Sequence, residues 1–146
     1  MTRALALAVA ALLALPLVAG AQTKPKAPSG KWTFVFQGTG SLRVKEKKLT
    51  SLSVTPKDAS TACGTSRIKL KVVHSLTTVS RAGVTNWIVG KPTPKKVDAY
   101  QPVKTKFAID GKIVSGKIRA LWYEGNKTGS AELFFGTCHL DASFQK

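Results

Sequence analysis

Past residue 30 the chain alternates apolar and polar side chains with a period of two. That is the spacing of a strand with one face in a core and the other in water. Trp32, Phe34 and Phe36 alternate with Thr33 and Val35. Gly38-Thr39-Gly40 interrupts this run, after which Leu42 and Val44 alternate with Arg43, Lys45 and Lys47. Leu52 and Val54 lie in a Ser/Thr-rich strand ended by Pro56, and Ile68, Leu70 and Val72 alternate with Arg67, Lys69 and Lys71. Weaker strand patterns occupy 76–79 and 84–89. Segment 90–102 holds three prolines and three lysines and reads as an exposed loop. Asp110-Gly111 between strands at 103–109 and 112–123 is a two-residue type I′ hairpin signal, because both residues tolerate positive φ. Residues 125–129 form a further turn, and strands at 130–135 and 138–144 follow. No segment of the domain carries a helical period. About eight to ten short strands predict an all-β fold, an antiparallel β-sandwich, with a closed up-and-down β-barrel as the alternative.

The first residues follow another rule. Arg3 precedes an apolar run over 4–18, and Ala19-Gly20-Ala21 offers the small residues a signal peptidase reads. The run contains Pro16 and is shorter than the ~20 apolar residues of a spanning helix. The sequence therefore predicts a signal peptide over 1–21, a flexible leader over 22–30 and one β domain over 31–146. The mature form is expected to be secreted, periplasmic or in the cell envelope, with no membrane span. An oxidising compartment predicts a disulfide between the two cysteines, Cys63 and Cys138. Cys138 shares a strand face with Leu140, Ala142 and Phe144, so it should point into the core.

Charge sharpens the reading. The chain has 23 Lys+Arg against 7 Asp+Glu, a net charge of +16. Arg43, Lys45 and Lys47, and likewise Arg67, Lys69 and Lys71, place three cations on one strand face. Lys104 with Lys106 and Lys117 with Arg119 add two pairs. If these strands are neighbours they form one basic surface for a phosphate, sulfate or carboxylate polymer of the envelope or extracellular space. Nucleic acid fits less well, since no aromatic residues interleave with these cations on the exposed face.

Chemistry of other kinds finds little support. His139, Asp141 and Ser143 alternate along one strand, ~6–7 Å apart, too far for the direct hydrogen bonds of a triad. The seven carboxylates show no pairing suited to glycoside hydrolysis. His74 and His139 are the only histidines, which argues against a metal site. No glycine-rich phosphate loop is present, so neither enzyme activity nor a cofactor is expected, and a secreted inhibitor or adhesion module is the remaining alternative to polymer binding and to a ligand-holding barrel.

Two resemblances bear on the fold. Gly30-Lys31-Trp32, entering the first strand, resembles the start of lipocalin-type barrels. That likeness implies a tryptophan plugging one end, a cation such as Arg119 stacked on Trp32, and an apolar small molecule held in the barrel. Phe107 to Arg119, reading FAIDGKIVSGKIR, followed by Gly136-Thr137-Cys138 and Ala142-Ser143-Phe144, with an earlier Cys63-Gly64, is similar to small secreted bacterial β-rich domains of uncharacterised function. This second likeness implies a fold rather than an activity.

Overall fold

The computed structural model describes residues 20, 24–58, 62–81, 84–93, 96–123, 125 and 127–146; the expected signal segment, Gly20 apart, lies outside them. Thirteen strands occur among the described residues. They are β1 (Gly30–Phe36), β2 (Gly38–Lys45), β3 (Lys48–Pro56), β4 (Ile68–Leu70), β5 (His74–Ser75), β6 (Thr77–Arg81), β7 (Val84–Val89), β8 (Lys91–Thr93), β9 (Lys96–Gln101), β10 (Val103–Ile109), β11 (Lys112–Tyr123), β12 (Thr128–Phe135) and β13 (Cys138–Gln145).

Turn chemistry sets the registers. Asp110 and Gly111 have φ of 47° and 76°, the type I′ signature, and close β10 onto β11 at Ile109↔Lys112. Glu46 and Lys47 do the same for β2 and β3, with φ of 50° and 59° and the pair Lys45↔Lys48. Lys47 is thus a turn residue, not the last cation of a strand.

The fold is a closed eight-stranded antiparallel barrel rather than a sandwich. Around the wall run β1-β2-β3-β4-β10-β11-β12-β13, and β13 returns to pair with β1 at Phe34↔Phe144 and Thr33↔Gln145. Alternation alone predicts one wet face per strand in either architecture. The pairing of first with last strand decides between them, and no local pattern encodes it. The insertion β5–β9 sits between β4 and β10. Its β7 pairs with β11 at Ala120–Tyr123, beyond the stretch that β10 covers, and β6 pairs with β7. Segment 90–102 is not a loop: β8 and β9 form a separate two-stranded hairpin. A proline is tolerated there because such a strand leaves one edge unpaired.

Side chains of the wall alternate as closure requires. Leu42, Val44, Leu52, Val54, Ile68, Phe107, Ile118, Ala131, Leu133, Leu140 and Phe144 are all buried. Phe36 departs from its expected inward place. A register shift between Phe34 and Phe36 against β13, followed by Gln37 at φ 52°, leaves Phe36 58% exposed. At one end an inner aromatic row crosses the wall through the cross-strand pairs Trp87↔Trp122, Trp122↔Gly129, Gly129↔Phe144 and Phe144↔Phe34. Gly129 makes this row possible: a Cβ there would lie 2.3 Å from Phe144 Cζ. Phe144 meets Trp32 and Phe34 edge-on, at centroid distances of 5.8 and 5.7 Å.

Cys63 and Cys138 are bonded, with Cα atoms 4.5 Å apart, and Cys138 is buried as its strand face predicts. The bond ties the loop between β3 and β4 to the start of β13 and closes a loop of 75 residues. Replacing both cysteines with serine should lower unfolding free energy by about 4 kcal/mol in the chain-entropy model. Denaturant titration of the variant against the oxidised wild type measures it.

Thr105 is the one buried polar residue of the wall, and its hydroxyl lies 2.8 Å from His74 Nε2. Burial holds the His74 imidazole below its ordinary pKa of 6.5. The unfolded chain takes up that proton near pH 6.5, the folded chain only at lower pH. The neutral imidazole therefore contributes stability that is present above pH 6.5 and lost as pH falls below it. His74→Gln should flatten the acid side of the stability profile relative to wild type in thermal melts across pH 4 to 8.

Candidate basic surface and tryptophan end

Closure sends the cations of the eight wall strands outward, and the registers decide which of them meet. Arg67, Lys69 and Lys71 are exposed on and beside β4. β4 pairs with β10, where Lys69 lies opposite Ala108, and the Lys71 amide donates to the Lys106 carbonyl at 2.9 Å. β10 pairs with β11, which sets Lys104 directly opposite Lys117. Arg67, Lys69, Lys71, Lys104, Lys106 and Lys117 thus share one outer face across three adjacent strands. At its border, Ser66 Oγ donates to Asp110 Oδ2 at 2.6 Å.

The remaining expected cations fall elsewhere. Arg43 and Lys45 lie on β2, separated from β4 by β3, whose outer residues in between are Ser51, Ser53 and Thr55. Two strand spacings put the sets ~10 Å apart, beyond the ~8 Å Debye length at physiological salt. The two triplets therefore share one sheet without crowding one another. Arg43 instead faces Lys31 on β1, and Lys45 faces Lys48 on β3 with Glu46 3.9 Å away. Lys47 turns aside, its Nζ 5.7 Å from the Trp87 ring centroid. Arg119 is neutralised by Glu132, its cross-strand neighbour, at 2.5 Å.

An aromatic feature escaped the sequence pattern. Phe134, outward-facing on β12, lies opposite both Lys117 and His139, and its ring stacks on the His139 imidazole at 4.4 Å. Phe134 and Phe135 line a cleft of about 560 Å³ together with Lys104 and Lys117. The alternation marks Phe134 as outward, but only the β11–β12 register brings it beside a lysine. With its ring on Phe134, His139 is exposed on the outer face of β13.

The opposite end differs. Trp32, Trp87 and Trp122 line a smaller cleft with Lys26, Lys127 and Lys146. The cation over Trp32 is Lys146, 5.6 Å from the ring centroid, and not Arg119. Arg119 faces outward on β11 whereas Trp32 faces inward on β1, so the wall separates them. Residues of the leader reach this end: Ala27 packs against the core and Lys146 Nζ donates to the Ser29 carbonyl.

Among the described residues, no group of three or more metal-ligating side chains gathers, and no helix is long and apolar enough to cross a membrane. No family model, no curated protein and no solved structure matches this chain.

Lys104 and Lys117 are like charges directly opposite in the sheet, an arrangement that costs stability. Lys117→Glu turns repulsion into attraction and should raise stability by about 0.5–1 kcal/mol at low salt, with a smaller gain as salt increases. Thermal or urea melts at two ionic strengths check this.

Proposed function

We propose that the chain is an exported, non-enzymatic binding protein that engages an anionic envelope or extracellular polymer through the outer face of β4, β10 and β11. The observation that carries this reading is the cluster of six cations on three adjacent strands, with Lys104 set against Lys117. Such a surface weakens the isolated fold, and an anionic partner relieves the repulsion. The cleft beside Phe134 adds an aromatic platform next to Lys117, with Lys104 one strand further on, suited to the ring of an acidic or sulfated sugar unit.

The second reading, an apolar molecule held along the barrel axis as the Gly-x-Trp likeness implies, has the barrel itself in its favour. The packing of the interior speaks against it. Leu49, Val54, Ile68, Phe107, Ile118, Ala131, Leu133, Leu140 and Phe144 are 0% exposed, so no space of even water size opens onto them. Catalysis is likewise not supported by the pairing of Thr105 with His74, since Thr105 is 5% exposed and lines neither the Phe134 cleft nor the tryptophan cleft.

The test is a titration against teichoic-type polymers, lipopolysaccharide and heparin at several salt concentrations. Affinity should fall steeply with salt. Lys104→Glu/Lys117→Glu should abolish binding at physiological salt. The charge-neutralising pair Lys104→Gln/Lys117→Gln should reduce the slope of log affinity against log salt by about two. Reversal at Lys31 and Lys45, on the far side of β3, should have a much smaller effect. Equal losses from both faces, or no binding to any of the polymers at low salt, would reduce the charge to a solubilising exterior.

A further inference from the structure

All three tryptophans of the chain converge at one end of the barrel. Trp32 comes from β1, Trp87 from β7 and Trp122 from β11, and they floor a cleft of about 280 Å³. Each is more than nine-tenths buried, and none of the three indole Nε1 atoms has a hydrogen-bond partner. A buried donor is costly until an acceptor reaches it, and native proteins leave few unmet. The aromatic neighbours do not supply one: Phe144 offers Trp32 and Trp122 only a ring, at best a weak acceptor. Above the same floor stand Lys26, Lys127 and Lys146, and no Asp or Glu side chain lines the cleft among the described residues.

The donors and the cations call for the same group, an oxygen acceptor with negative charge. The indole faces, with Ala27 and Pro28 of the leader beside them, call for an apolar body. We infer that this end of the barrel binds a small organic anion with an apolar body, of the medium-chain carboxylate kind. The carboxylate lies between Lys127 and Lys146, above the buried indole donors, and the hydrocarbon chain lies against the rings. The site is at the opposite end of the wall from the Asp110-Gly111 turn and the disulfide, and it does not depend on the polymer-binding face.

Because every tryptophan lines the cleft, intrinsic fluorescence of the full mature domain reports on this site alone. Titration with octanoate should change the emission saturably. Octanol should bind at least about tenfold more weakly for want of a charge, and acetate or inorganic phosphate should produce no saturable change for want of an apolar body. Lys127→Gln/Lys146→Gln, at two exposed positions, should weaken octanoate at least about tenfold with thermal stability retained. Trp87→Phe, which keeps two reporters and removes one donor, should weaken it as well. Lys69→Glu/Lys106→Glu should leave octanoate affinity unchanged, which separates this site from the basic wall. No saturable response to octanoate, equal binding of octanol, a response to phosphate alone, or full affinity in the double lysine variant would each overturn the assignment.

Discussion

Pairing between β1 and β13 closes the sheet on itself, and the remaining features follow from that closure. Before closure, the first and last strands each present an edge of unpaired amides and carbonyls. After it, every strand has one inner and one outer face, and residues two apart must share a side. Phe34 and Phe144 meet across this seam. They join the ring of aromatic residues that fills one end, where Gly129 yields its Cβ space to Phe144. At the other end the Cys63–Cys138 bond holds the longer β3–β4 connection against the start of β13.

The same constraint produces the electrostatics. A filled interior has no place for an unpaired cation, because desolvating a charge without a partner is prohibitive. The lysines and arginines of the eight wall strands are therefore on its outer face, and their grouping depends on register. Where a hydroxyl row intervenes, as β3 does between β2 and β4, the cations are screened from one another. Where cationic strands are adjacent, as at Lys104 and Lys117, they are not. A carboxylate at the right register removes a cation from the surface, as Glu132 does for Arg119.

The two ends of the barrel carry different chemistry for a related reason. The disulfide end is tied down covalently and by tight turns. The tryptophan end is closed by large rings whose indole nitrogens bring donors into an apolar setting. The insertion contributes to this end: β7 supplies Trp87 opposite Trp122, along the part of β11 that β10 leaves unpaired. Lys47 and Lys146 lie over two of the rings, so cation–π contact accompanies the unmet donors.

By itself the sequence determined the all-β class, most strand positions, the Asp110-Gly111 turn, the inward face of Cys138 and its disulfide, and the outward direction of the strand cations. Each of these depends on a period of two, on turn residues with a known φ preference, or on a count of cysteines, all readable within a few neighbouring positions. Only the tertiary structure decided that the sheet closes, that 90–102 forms a hairpin, that Phe36 turns outward at a bulge, and that Lys47 leaves its strand for a turn over Trp87. It also decided which cations meet. Arg67, Lys69 and Lys71 join Lys104, Lys106 and Lys117, whereas Arg119 goes to Glu132 and Arg43 to the far side of β3. The gathering of Trp32, Trp87 and Trp122 is of the same kind, for those residues are far apart in the chain. Alternation fixes which side of a strand a residue faces, but neighbours across a sheet are fixed by long-range pairing, and no local pattern carries that information.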